Sequence, residues 1–197
     1  MHKQIIILLI LIVNLLYAQI PVYNENQKIG NLHEQVTQDC KDCYYWDSYK
    51  LFDKKILIKL PVFEMGKDEE NSDKTYFENE IDVEIKNINS NLKIVKFNST
   101  SSGNSDWLYF QRKKNKIFII KQLSYFNSIH KKKLKDDDYN SFPATEVCTK
   151  NLNIEYKSKI SYSDFFNDKK NLICHQCPIY IKIEDCLNSK NKEYKWK

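Results

Sequence analysis

WLYFQRKKNKIFIIK, residues 107–121, places two apolar runs on either side of a basic stretch, RKKNK. Apolar runs joined by a few polar residues form a β-hairpin, and Asn115 is a residue able to take the left-handed conformation that such turns need. The second run, Ile117 to Ile120, is apolar at successive positions, which predicts a strand buried on both faces in mid-sheet. In the first run, Trp107 and Tyr109 share one face while Leu108 and Phe110 share the other. Two such faces cannot both meet water. Either the strand is covered on both sides, or the Trp107/Tyr109 face meets a partner, since aromatic rings are enriched at binding hot spots. Trp107 and Tyr109 are therefore the candidate binding residues.

Working outward, EIDVEIKN (80–87) alternates apolar and charged residues, as a half-buried strand does. LKIVKF (92–97) is the next strand. Strands near 81, 92, 107 and 117 with short connections predict an antiparallel meander. KKILIKLPVF (54–63) is a further strand with Pro61 near its end. NLNIEYKSKISY (151–162) and PIYIKIE (178–184) alternate again. One or two short helices are expected. One spans NENQKIGNLHEQVTQ (24–38), where Ile29, Leu32 and Val36 fall at helical spacing. The other starts near Asp164, capped by Ser161 or Ser163. KDEENSDK (67–74), NSTSSGNSD (98–106) and the charge run HKKKLKDDDYN (130–140) read as loops or a frayed helix end, and Asn98–Ser99–Thr100 is a glycosylation sequon. The fold class is mainly β (α+β): an antiparallel meander or sandwich with one or two short helices, stapled by disulfides.

The first residues, MHKQIIILLILIVNLLYAQ, have a positive start at Lys3, an apolar stretch from Ile5 to Leu16 and a small residue, Ala18, before Gln19. This is the layout of a secretory signal peptide, and the stretch is shorter than a membrane span requires. Residues 1–18 are expected to be a signal peptide and 19–197 a single β-rich domain, secreted or periplasmic, with no membrane attachment after the leader is cleaved.

The formal net charge is +5. Arg112 is the only arginine, whereas recognition of phosphate and base edges leans on the forked guanidinium. Lysines alternate with acids along much of the chain, so the excess reads as diluted, and no nucleic-acid partner is expected. The three glycines lie far apart, which argues against any phosphate-cradling loop or dinucleotide fingerprint. His33–Glu34 fails as a zinc-protease motif because Thr37 stands where the second histidine belongs. The acidic loops lack the spaced ligands and central glycine of a calcium loop. No cofactor, metal or catalytic set is expected.

The six cysteines are Cys40, Cys43, Cys148, Cys174, Cys177 and Cys186. An even number behind a leader favours disulfides. If the 151–162 and 178–184 strands pair antiparallel, Cys148 and Cys186 face each other. Cys40 and Cys43 are then left to cross-pair with Cys174 and Cys177, or each Cys-x-x-Cys closes on itself. Two other readings compete. Two Cys-x-x-Cys pairs resemble a zinc ribbon, but they lie far apart in an exported chain. Cys174–His175–Gln176–Cys177 could exchange disulfides, the histidine stabilising a thiolate, but an alternating strand follows where a redox pair opens a helix. The functional expectation is a non-catalytic binding module with a protein partner, of the inhibitor or immunity type. The alternatives are a thiol–disulfide oxidoreductase using Cys174 and Cys177, or a structural surface protein.

Overall fold

The computed structural model describes residues 20–32, 35–36, 40, 42–67, 75–79, 81–99, 102–133, 139–166 and 171–178. Residues 1–19, including the expected leader 1–18, most of the acidic loop (68–74), residues 134–138 and the chain from 179 onward, with Cys186 and the rest of the expected 178–184 strand beyond Pro178, lie outside them. The strands in chain order are β1 (Pro21–Asn24), β2 (Gln27–Asn31), β3 (Gln35–Val36), β4 (Cys43–Leu51), β5 (Lys54–Pro61), β6 (Phe63–Lys67) and β7 (Thr75–Glu78). There follow β8 (Ile81–Asn89), β9 (Leu92–Ser99), β10 (Ser105–Lys113), β11 (Lys116–Lys133), β12 (Tyr139–Tyr156), β13 (Lys159–Ser161), the helix α1 (Tyr162–Phe166) and β14 (Ile173–Pro178). The chain is mainly β with a single short helix among the described residues. It divides into two compact units, Met1–Asp47 with Pro61–Asn79, and Ser48–Leu60 with Glu80–Lys197.

In the first unit, β1 and β2 form a hairpin around Glu25–Asn26, with Asn24 opposite Gln27. The start of β4 lies on the other side of β1, where the Tyr23 and Tyr44 rings stack with centroids 5.9 Å apart. The Tyr44 hydroxyl donates to the Glu25 carbonyl. A separate small sheet runs β3–β7–β6. The helix expected over 24–38 is not formed. Ile29 sits in β2 and Leu32 follows it, and the register pairs Gly30 with Val22. Three apolar residues at helical spacing in a polar segment are outweighed by a β-rich neighbour, Pro21–Asn24, able to form a ladder.

The second unit is built on an antiparallel meander in the strand order β14–β12–β11–β10–β9–β8. The expected strands at 81, 92, 107 and 117 are its last four in that order, and β11 is interior as the Ile117–Ile120 run requires. Both faces carry buried side chains. One face buries Val95, Phe97, Leu108 and Phe110, together with Gln122 and Ser124. Phe97 makes edge contacts with Tyr162 and Phe166 of α1, and Gln122 Nε2 donates to the Phe165 carbonyl over 2.8 Å. Full burial of each large apolar side chain stabilises by about 1.5–3 kcal/mol. Ser161 directly precedes α1 and its hydroxyl lies 2.8 Å from that of Ser163. Asp164 in the first turn is favourably placed against the helix dipole.

Two expectations change here. The charge run at 130–140 is no loop throughout, because β11 continues to Lys133 and β12 begins at Tyr139. The 151–162 strand is instead the end of β12 followed by β13, which pairs parallel with β5. Ile56, Ile58 and Leu60 of β5 are fully buried.

Candidate functional site

Trp107 is not a surface residue. It is 4% exposed and packs with Ile94, Leu123 and Val147, with Tyr109 and Tyr125 half-buried against them. Burying an indole requires a partner for its N–H. Trp107 Nε1 donates to Ser105 Oγ at 2.6 Å, and Ser105 Oγ donates to Asn98 Oδ1 at 2.6 Å. Lys96 lies over the ring, 4.9 Å from its centroid, and pairs with Glu84 at 3.4 Å. Of the two readings of this strand, cover on both sides holds at Trp107, whose burial removes the reason for placing a partner contact there. Tyr109 is half-buried with Lys121 5.3 Å from its centroid, and burial lowers the Lys121 pKa. The sequon asparagine, expected in a loop, lies in β9 with its amide oxygen engaged by Ser105.

The cysteines pair differently from the suggested Cys148–Cys186. Cys148 is bonded to Cys174, with Cα atoms 4.0 Å apart. The register explains it: β14 runs antiparallel to β12 and sets Cys174 directly opposite Cys148, in mid-strand. Cys148 lies within β12 and not ahead of the strand, so it meets Cys174 in register instead of Cys186. Cys40 pairs with Cys43 across a Cα distance of 5.5 Å, with Asp42 between them in the left-handed region. Cross-pairing of Cys174 with Cys40 or Cys43 is thus overturned. With its sulfur bonded to Cys148, Cys174 is neither half of a Cys174–Cys177 disulfide nor a free thiolate for a zinc ion. Among the described residues, one cluster of metal-ligand atoms occurs, Glu146, Cys148 and Cys174. With its two sulfurs bonded to each other, it offers a single carboxylate.

A different site emerges where three turns meet at one end of the second unit. The β4–β5 turn contributes Phe52 and Asp53, the β8–β9 turn Ser90 and Asn91, and the β10–β11 turn Lys114 and Asn115. Arg112 ties them together. Its Nη1 donates to Asp53 Oδ2 at 2.9 Å and its Nη2 to the Ser90 carbonyl at 3.2 Å. Its backbone N–H donates to the Asn91 carbonyl at 2.8 Å. The guanidinium also stacks 5.2 Å from the Phe52 centroid, and Lys93 sits at 5.2 Å from the same ring. Lys54 Nζ donates to the Asn115 carbonyl at 3.3 Å.

Phe52 and Lys114 adopt positive φ, 56° and 55°. For side chains with a Cβ this costs about 1–2 kcal/mol each, so the turns are held by their contacts. At Phe52 the buried, stacked ring supplies them. Lys114, not the expected Asn115, takes the left-handed position. A cleft of about 390 Å³ opens beside Phe52, Asn87, Asn89 and Lys93, and one of about 250 Å³ beside Lys54, Lys114 and Asn115.

The charge at this end is lopsided. Lys50, Lys54, Lys55, Lys93, Arg112, Lys113, Lys114, Lys116 and Lys157 face only Asp53 and Glu155 among acids of the same segments. Glu155 is paired with Lys116 at 3.0 Å, next to the Ile117–Tyr156 register pair. This excess exceeds the +5 of the entire chain. Averaged along the chain, the lysines conceal it. The signal was present locally, in basic residues flanking the turns of KLFDKK (50–55) and RKKNK (112–116).

Compared with known proteins, the chain matches no family model, no curated protein and no solved structure.

Proposed function

We propose that this chain is a non-catalytic binding module acting outside the cytoplasm, secreted or periplasmic, of the inhibitor or immunity kind. The observation that carries the reading is the three-turn end: strained turns fixed by one arginine and presenting a concentrated charge. A rigid β platform with positioned loops is a common way to build a recognition surface. The Cys40–Cys43 and Cys148–Cys174 bonds fit an oxidising compartment, where such bonds persist. Among the described residues no helix is long and apolar enough to cross a membrane.

The oxidoreductase alternative loses its support, since Cys174 is bonded to Cys148 within a sheet. A nucleic-acid partner is disfavoured because the single forked cation is consumed by Asp53 and Ser90. The test is chemical cross-linking in the extracytoplasmic fraction of the producing cells, followed by mass spectrometry of the adducts. One discrete protein partner is expected. Recovery of the uncross-linked protein alone, or turnover of an insulin disulfide by the purified protein, contradicts the reading.

A further inference from the structure

We infer that the basic three-turn end is the contact surface, and that it recognises a protein presenting clustered Asp and Glu carboxylates. This rests on the binding-module reading above and adds the chemistry of the partner. The nine cations come from four chain segments, residues 50–57, 87–93, 112–117 and 155–157, and the remainder of the chain carries a small net negative charge. A charge gathered at one end produces a directional field that steers an oppositely charged partner and raises its association rate. The turns are already fixed by Arg112 and Phe52, so less ordering entropy is lost on contact.

The pattern favours a polypeptide over other polyanions. The cations at the surface are lysines, since Arg112 is spent within the fold, and a lysine ammonium is a point charge suited to single carboxylates. Asp53 stands among them with its side chain 87% exposed. It is paired with Arg112 at 2.9 Å, so the field of this end is that of the lysines. Asn87, Asn89, Ser90 and Asn115 line the two clefts beside the lysines and add uncharged hydrogen-bonding groups. Ile88, 45% exposed on the neighbouring strand, supplies an apolar contact.

The test compares the mature wild-type protein with K55E/K114E, which changes the charge at this end by four. A control, N26E/Q27E/K28E, makes the same change of charge in the β1–β2 hairpin. Probes are poly-L-glutamate, phosphatidylcholine vesicles containing phosphatidylglycerol, and single-stranded DNA. Poly-L-glutamate is expected to bind best. K55E/K114E should weaken it about 10-fold, or about 1.4 kcal/mol, with the control within about twofold of wild type. The difference should shrink as ionic strength rises from about 0.05 M to about 0.5 M. Equal weakening by both variants, tighter binding of vesicles or DNA, or no binding of poly-L-glutamate at low salt overturns the inference. Cooperative unfolding of each variant excludes misfolding as the cause. A cross-linked partner that maps away from these four segments defeats this inference and leaves the binding-module reading standing. The absence of any partner defeats both.

Discussion

Replacing Arg112 with alanine isolates what holds the three turns together. The ion pair to Asp53 is worth little, about 0.5 kcal/mol, because that carboxylate is 87% exposed and screened by solvent. The hydrogen bond to the Ser90 carbonyl contributes about 1 kcal/mol. The stack on Phe52 adds about 0.5–1 kcal/mol. The contact to Asn91 Oδ1, at 3.5 Å, is too long to count. R112A should therefore cost about 2 kcal/mol, a shift in Tm of about 4–8 °C for a chain of this size. R112K keeps the charge and part of the stack but loses the fork, so about half the loss remains. D53N should cost no more than about 0.5 kcal/mol. Urea unfolding followed by circular dichroism measures all three. A loss under about 0.5 kcal/mol for R112A would show that the turns hold themselves. A D53N variant as unstable as R112A would show that the exposed ion pair, not the fork and stack, is the bolt.

Three further outcomes follow from the packing. W107A should lose about 3–5 kcal/mol and W107F less, in denaturant melts, because Trp107 fills the sheet's second core; a near-neutral W107A refutes that placement. Removing the Cys148–Cys174 bond in C148A/C174A should cost about 3.5 kcal/mol on the chain-entropy treatment for a separation of 26 residues, and an unreduced peptide map should show these two cysteines joined. Tyr162 donates to Asp106 at 2.5 Å, and burial, then the Asp106 charge, raises its pKa well above the ordinary tyrosine value. Its neutral form is favoured by folding, so the contribution is complete below about pH 10 and is lost as pH rises toward the folded pKa; alkaline melts should steepen there and flatten in Y162F, with a residual slope from Tyr156, which burial also raises.

The meander was legible because its signal is local. Alternation in 80–87, the apolar run of 92–97 and the paired runs of 107–121 report strand period and turn position without any knowledge of distant residues. What failed depended on pairing partners. Ile29 and Leu32 looked helical until Pro21–Asn24 offered a ladder. Cys148 pairs with Cys174 and not with Cys186 because β12 reaches back to Tyr139, which sets its register with β14. Trp107 was half right: the sequence showed two apolar faces but not what covers the second. The relay through Ser105, two residues earlier on the same face, was the available hint that the indole N–H is satisfied inside. The basic end is legible only in part: KLFDKK (50–55) and RKKNK (112–116) are basic locally, but four segments spread over residues 50–157 meet only in three dimensions.

The position of the Cys148–Cys174 bond has a consequence for how the protein avoids assembling with itself. Among the described residues β14 is the terminal strand of its sheet, and a terminal strand that slips by one residue turns every side chain to the wrong face. If it peels away, β12 offers an open ladder to a second chain. A covalent tie between directly opposed residues forbids both movements at once. The bond therefore acts as a register pin and an edge guard, and its loss should be felt as filament or aggregate formation before it is felt as global unfolding.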